Sequence, residues 1–350
     1  MIEMKLTTRQ QHILETVSNQ SLISISEIME LLSEDVSQIT INRDLAKLVK
    51  NRFLEKKGKG RSITYSISSY YKLFKPVDID KYFDHDVDNR NSLSGFNHDL
   101  FSVFTDIEIF TPKEKGLFSD IKKEFQQNVN SISPALYKRE MERLTIELSW
   151  KSAQIEGNTY SLLETEKLFL EKELAKNKSK EDATMLLNHK EALDFLLQNK
   201  NIAKKLDLRL LEEVHSILVK DLGVGKNIRS RAVGITGTAY KPLDNVFQIR
   251  ENLEQMIELI NAIDDDFEKA FLAILIISYI QPFEDGNKRT GRMIGNAILI
   301  NAGACPLSYR SVDSIDYKKA MFLFYEQNNL TAFKQIFIEQ NIFGLKNYFR

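Results

Sequence analysis

This sequence has a single cysteine, no long apolar run and a formal net charge of only −1. Its single cysteine, Cys305, cannot form a disulfide within the chain and is typical of a reducing compartment. No apolar run reaches the roughly 18 residues that a membrane span requires. The polar start, MIEMKLTTRQQ, lacks the apolar core of a signal peptide. We therefore expect a cytoplasmic protein that does not contact membranes.

Basic and acidic residues nearly balance, 48 against 49, which gives no reason by itself to expect a polyanionic partner. Between residues 38 and 70, however, basic residues outnumber acidic ones by eight to two. This asymmetry makes the segment a candidate surface for a polyanion. The eight basic residues are Arg43, Lys47, Lys50, Arg52, Lys56, Lys57, Lys59 and Arg61.

Three short helices and a hairpin are predicted in the first 70 residues. Apolar spacing predicts one helix at 7–19, a second within SISEIMELL and a third within DVSQITINRDLAKLVKNRFL. The stretch FLEKKGKGRSITYSI alternates around two glycines and indicates a basic β-hairpin. This order is that of a winged helix-turn-helix. The T-x-x-R-D-L-x-x-L pattern from Thr40 to Leu48 resembles the DNA-binding domains of bacterial regulators of the DeoR type.

Such a domain places its third helix and its hairpin on DNA. Phosphate contacts are then expected from Lys47, Lys56, Lys57, Lys59 and Arg61. Base edges are expected to be read from the helix start, by Ser37, Gln38, Thr40, Asn42 and Arg43. The alternatives are a winged helix that docks a protein, and a basic face that is merely solvated.

The rest of the chain is predicted to be mainly helical. We expect a winged-helix domain at 1–70, a linker and helical extension at 71–130, and a helical domain at 131–350. One stretch, LGVGKNIRSRAVGITGTAYKPL, alternates glycines with β-branched residues and indicates a β-hairpin or an extended flap. The predicted fold is therefore mainly α, with a small α+β domain at the N-terminus.

A candidate phosphate site lies in ISYIQPFEDGNKRTGRMIGNAIL, residues 277–299. A glycine turn at Gly286 leads into a helix, and such a helix start offers free N–H groups and a positive dipole end to an anion. Arg289 and Arg292 lie one turn apart on that helix. Asp285 lies just ahead, where it could share a magnesium ion with the phosphates. A tightly capped pair of buried helices is the alternative.

The same stretch resembles the signature of the Fic family, His-Pro-Phe-x-Asp/Glu-Gly-Asn-Gly/Lys-Arg-x-x-Arg, at every defining position except the first. SAQIEGN, residues 152–158, resembles the family's inhibitory helix, Ser/Thr-x-x-x-Glu-Gly/Asn. GKNIRSRAVGITGTAY resembles the flap that pairs with a target segment. The resemblance covers roughly residues 130–350. It implies a helical domain that transfers AMP from ATP to a hydroxyl side chain of a protein.

The resemblance also implies roles for individual residues. Asp285 would bind magnesium, and Glu156 would pair with Arg292 and block the γ-phosphate position. Tyr317 would lie near the nucleotide base. The nucleotide would be held by Gly286, Asn287, Lys288, Arg289, Thr290, Gly291 and Arg292. The inhibitory group is Ser152, Glu156 and Gly157, and the flap residues that offer backbone to the target are Ile235, Thr236 and Gly237.

Two positions depart from the family pattern. Gln281 stands where the family has the histidine that takes the proton from the attacking hydroxyl. Glutamine has no useful basicity at neutral pH, and loss of a positioned general base slows a reaction about 10²- to 10⁴-fold. Lys288 stands where glycine is commoner, as in the Doc branch, which transfers phosphate but also needs the histidine.

The sequence therefore favours a Fic protein that keeps an ATP and magnesium pocket, is degenerate for AMP transfer, and regulates transcription by binding DNA. One alternative is an active adenylyltransferase or de-AMPylase that is inhibited by the Ser152–Glu156 helix. Another is a protein-interaction scaffold with a vestigial pocket. A homodimer is a further expectation from the resemblance, since many relatives dimerise.

Overall fold

The structure is a computed structural model that describes residues 6–20, 22–32, 36–93 and 95–350. Its contacts divide the chain into two compact units. The first unit is Met1–Asp78 with Gln327–Thr331, and the second is Ile79–Glu326 with Ala332–Arg350. Across the described ranges, no helix is both long enough and apolar enough to cross a membrane.

The first unit combines short helices with a three-stranded antiparallel sheet in the order β1-β3-β2. The apolar faces of its first three helices close over the sheet, with Ile13, Ile28 and Leu45 fully buried. This confirms the predicted winged helix-turn-helix. Its elements are α1 Thr8–Ser18, β1 Ile23–Ser24, α2 Ile25–Leu32, α3 Gln38–Lys50, β2 Leu54–Lys57, β3 Thr64–Ile67 and α4 Ser69–Phe74.

One acidic residue in the basic segment has a structural role. Asp44 on α3 is buried, and its carboxylate accepts hydrogen bonds from Arg9 Nε at 2.6 Å and Gln10 Nε2 at 2.8 Å. Both donors belong to α1, so Asp44 ties the first helix to the third. The acid therefore faces the core, while the basic residues of α3 keep the outer face.

The remaining helices confirm the predicted mainly helical fold, and short 3₁₀ turns occur at Gly60–Ser62 and Val87–Asn89. The helices are α5 Ile79–Phe83, α6 Leu100–Asp106, α7 Pro112–Ser131, α8 Pro134–Ile155, α9 Leu162–Glu171, α10 Lys180–Gln198, α11 Leu208–Leu218, α12 Val246–Ala262, α13 Asp266–Ile280, α14 Asn287–Asn301, α15 Ser314–Gln327 and α16 Thr331–Asn347.

Helices α13 and α14 form the centre of the second unit. Every residue of α13 from Ala270 to Ile280 is buried, as expected for a helix that is apolar on all sides. Two glycines of α14 allow the helices to approach closely. A Cβ atom at Gly291 would lie 2.9 Å from Ile274 O, and one at Gly295 would lie 2.5 Å from Ile274 Cγ1. This close pair gives the loop between the helices a rigid base.

The segment between α11 and α12, all of which is described, is irregular with short turns and contains no paired strands of its own. Of the two predicted forms, the β-hairpin is therefore wrong, and the flap has irregular backbone with turns instead. Its one strand-like contact is an isolated parallel bridge from Lys241 to Gly95. The physical reason is Arg229, whose side chain donates to the carbonyls of Arg231 and Leu243 and so engages both arms of the would-be hairpin.

Candidate functional site

The loop between α13 and α14 is held by its own side chains. It begins at Gln281, which has a left-handed φ of 52°, and ends at Gly286, with φ 81°. Asn287 closes the loop: its Oδ1 accepts from Phe283 N at 2.8 Å and its Nδ2 donates to Phe283 O at 2.8 Å. The loop therefore fixes the positions of the N–H groups in the first turn of α14, as an anion site requires.

Gln281 takes part in closing this loop. Its Nε2 donates to Ser278 O at 2.6 Å, and its Oε1 accepts from Asn287 Nδ2 at 2.9 Å. The side chain is buried, and both ends of its amide are in use. Because an amide has no basic atom at neutral pH, Gln281 can bind and orient a group but cannot take its proton.

Arg289 uses only some of its N–H donors in hydrogen bonds to the described residues. Its Nη2 donates to Asp285 Oδ2 at 2.9 Å, but its Nε and Nη1 are buried and have no hydrogen-bond partner in the described part of the chain. Burial lowers the pKa of Arg289, although Asp285 and Glu156 oppose this effect. Buried N–H donors without acceptors are costly, so these atoms suit an anion that would accept from them.

Glu156 lies between two cations. Its Oε1 is 2.9 Å from Arg292 Nη2, and its Oε2 is 2.8 Å from Lys288 Nζ. Burial on its own would raise the pKa of Glu156, but Arg292 and Lys288 lower it to about 2. The folded pKa lies below the ordinary value of 4.5. These ion pairs therefore contribute their full share to folding stability above pH 4.5, and that share is lost as the pH falls through about 2. Changes of pH near neutrality therefore cannot release Glu156.

A second set of hydrogen bonds orients Arg292. Its Nε donates to Ser152 Oγ at 2.9 Å, and its Nη2 donates to Ser152 O at 2.9 Å. The Ser152 hydroxyl in turn lies 3.0 Å from His189 Nε2, while His189 Nδ1 lies 2.8 Å from Met185 O. A carbonyl can only accept, so Nδ1 carries the proton and Nε2 accepts from Ser152. Burial and the nearby Arg289 lower the pKa of His189 to about 3, which keeps it neutral.

The flap is attached to the loop through Arg229, which is almost fully buried. Its backbone N donates to Pro282 O at 3.0 Å, and its Nε donates to Gln281 O at 2.6 Å. The side chain also donates to Arg231 O at 2.7 Å and Leu243 O at 2.5 Å. One side chain thus fixes both ends of the flap to the position where the chain leaves α13.

A cavity of about 340 Å³ lies between the loop and the flap. It includes the predicted residues Glu156, Ile235, Thr236, Gln281, Asp285, Gly286, Asn287, Lys288 and Arg289. Five further lining residues were not predicted from the sequence: Val233, Gly234, Glu284, Lys318 and Phe322. The last two come from α15, which no motif marks.

Other predicted residues lie outside the cavity lining. Gly291 faces α13, and Arg292 lies behind Glu156. Tyr317, expected near the base, is buried with its ring centroid 5.3 Å from the Arg292 guanidinium. The predicted residues that do not line the cavity are Ser152, Gly157, Gly237, Thr290, Gly291, Arg292 and Tyr317.

Asp285 is the acid expected to bind magnesium. Its side chain is 67% exposed, and its Oδ1 accepts from Gly286 N at 2.6 Å. Within the described residues, no group of three or more His, Cys, Asp or Glu side chains could hold a metal ion. A magnesium ion at Asp285 would therefore need phosphate oxygens and water for the rest of its coordination.

The predicted DNA-contacting residues lie on the outer face of the first unit. Gln38, Asn42, Arg43 and Lys47 on α3 are exposed, as are Lys56, Lys57 and Lys59 in the hairpin. Ser37 caps α3, because its Oγ accepts from Thr40 N at 3.4 Å and bonds the Thr40 hydroxyl at 3.0 Å. Both hydroxyls are thus engaged within the helix start. The Arg61 side chain lies outside the described residues.

Comparison with known families matches both units. Residues 205–299 match the model of the Fic/DOC family, and residues 9–63 match that of the DeoR-like helix-turn-helix domain. A relative from Nematostella vectensis, named Protein adenylyltransferase Fic, is 29% identical over 194 residues, which are 51% of this chain and 43% of the relative. One of the same name from Aedes aegypti is 26% identical over 194 residues, 54% of this chain and 38% of its own length. The chain thus spans less than half the length of these relatives.

Solved structures show the same fold. Fic-1 from C. elegans superposes with a TM-score of 0.58 at 21% identity, covering 67% of this chain and 71% of that one. A Fic family protein from Desulfovibrio desulfuricans G20 gives a TM-score of 0.57 at 18% identity, covering 68% and 74%. At these identities the likeness establishes the fold alone.

Proposed function

Because residues 205–299 are a Fic/DOC domain and residues 9–63 a DeoR-like helix-turn-helix domain, we propose that this protein is a nucleotide-responsive regulator of transcription. It binds ATP with Mg²⁺ in the loop cavity and binds DNA through its first 70 residues. AMP transfer is slow or absent. The observation that carries the proposal is a pocket in which two Arg289 donors have no partner among the described residues and Gln281 offers no base.

The chain's own residues suit a nucleotide polyphosphate. The N–H group of Asn287 and the Arg289 donors that have no partner among the described residues would hold phosphate oxygens, and Asp285 would hold the magnesium that neutralises them. Lys288 and Arg292 are cations that Glu156 now neutralises. A terminal phosphate would compete with Glu156 for both.

Calorimetric titration with ATP and Mg²⁺ tests the nucleotide pocket. We expect saturable binding by wild type and at least about tenfold weaker binding by Arg289→Ala, since hydrogen bonds to charged groups contribute about 1.5–3 kcal/mol each. Glu156→Gly should bind about ten- to a hundredfold more tightly, because two cations become available. Arg250→Ala, which removes an exposed arginine of α12, is the matched control and should bind like wild type. Absence of binding by both wild type and Glu156→Gly would contradict the pocket.

Salt-dependent DNA binding tests the first unit. Changing Lys56, Lys57 and Lys59 to alanine should lower the slope of log K against log salt by up to about 2.7, since each neutralised phosphate contributes about 0.9. The control variant changes Lys113, Lys123 and Lys176, which are exposed lysines of the second unit, to alanine. It removes the same charge and should keep the wild-type slope. Equal slopes for the two triple variants would disprove the wing contact and favour a winged helix that docks a protein.

The alternative function is an active adenylyltransferase or de-AMPylase. The names of the relatives favour it, and the flap would then hold the backbone of an unidentified target protein. It would need a base other than Gln281. Glu156 is a poor candidate while Arg292 and Lys288 hold it, because they lower its pKa to about 2. A homodimer is compatible with both the regulator and the enzyme.

A further inference from the structure

Residues 82–93, called the strap below, lie against both the flap and α15. Leu93 N donates to Glu326 O at 2.6 Å on α15. The Tyr82 hydroxyl donates to Glu326 Oε2 at 2.7 Å. Just beyond the strap, Gly95 forms the parallel bridge with Lys241 of the flap. These contacts make the strap part of the surface that surrounds the flap.

Arg90 is the strap residue that reaches both neighbours at once. Its Nη1 lies 3.0 Å from Gly237 O in the flap and 3.2 Å from Glu326 Oε1 on α15. Its Nε donates to His85 O at 3.0 Å, and its guanidinium lies 4.7 Å from the Phe83 ring centroid. The strap itself therefore holds the guanidinium in place, and the side chain is only 9% exposed.

The two acceptors of Arg90 depend on it for different reasons. The Glu326 side chain is fully buried, and a buried carboxylate without a cation is strongly destabilising. Gly237 has φ 92°, and a Cβ atom there would lie 3.0 Å from Phe322 Cε2 on α15. The flap is thus packed on α15 from one side and bonded by Arg90 through its carbonyl.

We propose that Arg90 is a positioning residue for the flap: it fixes Gly237 and thereby the adjacent Ile235 and Thr236, which line the cavity. This inference rests on the proposed function only in taking the flap as the surface that receives a target backbone. It adds that the strap sets the geometry of that surface. Arginine suits the task because its Nη1 can serve the carbonyl and the carboxylate while its Nε is held by His85 O, whereas lysine has no second nitrogen for the strap to hold.

Spin labelling of the flap tests the proposal directly. Thr236 is exposed, and the chain's one cysteine, Cys305, is buried, so Thr236→Cys supplies a single accessible thiol for a nitroxide. We expect the label to be immobilised in the otherwise wild-type chain. Arg90→Ala should replace the immobile spectral component with a mobile one.

The variants are chosen so that loss of folding cannot imitate the effect. Because Arg90→Ala leaves Glu326 buried and unpaired, Arg90→Ala with Glu326→Gln removes both charges together, and it should mobilise the label in the same way. Lys190→Ala breaks the 2.8 Å ion pair of Lys190 with Asp194, which lies within α10 and not in the strap or the flap, and it should leave the spectrum unchanged.

An immobile label in both Arg90 variants, or equal mobility in Lys190→Ala, would overturn the role of Arg90. ATP titration of the same variants keeps the two proposals apart. We expect Arg90→Ala with Glu326→Gln to bind ATP like wild type, because the groups proposed to hold the phosphates and magnesium, Asp285, Asn287 and Arg289, belong to the loop and α14 and not to the flap. A wild type that binds no ATP would contradict the nucleotide pocket and leave the effect of Arg90 on the flap measurable.

Discussion

A chain with Gln281→His and Glu156→Gly together should transfer AMP to protein about 10²- to 10⁴-fold faster than wild type. Histidine at the end of α13 could accept the proton of an attacking hydroxyl. The hydroxyl oxygen would then bond to the α-phosphorus of ATP as pyrophosphate leaves. Gln281 cannot, because both ends of its amide are hydrogen-bonded and neither is basic. The glycine removes the carboxylate that neutralises Arg292 and Lys288.

The measurement is self-modification with ATP labelled at the α-phosphate. The two single variants are the controls: Gln281→His still has Glu156 on Arg292, and Glu156→Gly has no base. Both should label far more slowly than the double variant. If Glu156→Gly alone matches the double variant, the chain uses another base and is an active adenylyltransferase. A double variant that labels no faster than wild type would show that Gln281 is not what limits transfer.

The parts of the site that the sequence predicts are those encoded by local pattern. The apolar run before Gln281 predicts the buried α13, and the glycine turn at Gly286 predicts the start of α14, because both depend on residues close in sequence. The pairing of Glu156 with Arg292 was predicted only through the family resemblance. The structure places these atoms 2.9 Å apart across 136 positions.

The parts that were missed depend on tertiary contact. Nothing near Lys288 in the sequence indicates its bond to Glu156, and no motif marks His189 behind Ser152. Such partners become visible only once α8, α10 and α14 pack together. The hairpin prediction for the flap failed for a more local reason. Its residues have the alternation of strands, but Arg229, a buried arginine within the flap, takes the carbonyls that a ladder would use.

Arg229→Ala should lower the free energy of unfolding of the second unit by about 3 kcal/mol or more. The side chain is 2% exposed, and its loss leaves the carbonyls of Gln281 and Leu243 without this donor, at about 1–3 kcal/mol for each buried acceptor. Arg229→Lys should recover only part of this, because one ammonium group cannot reach three carbonyls arranged around a planar fork.

Urea unfolding followed by tryptophan fluorescence measures this loss, since Trp150 on α8 is the only tryptophan in the sequence and lies in the second unit. Arg231→Ala is the matched control. It removes an exposed flap arginine but keeps the backbone carbonyl that Arg229 bonds, and it should unfold like wild type. If both alanine variants unfold at the same urea concentration, Arg229 does not hold the flap to the loop. A large gap between them would show that the Arg229 side chain holds the flap to the loop without a β-ladder.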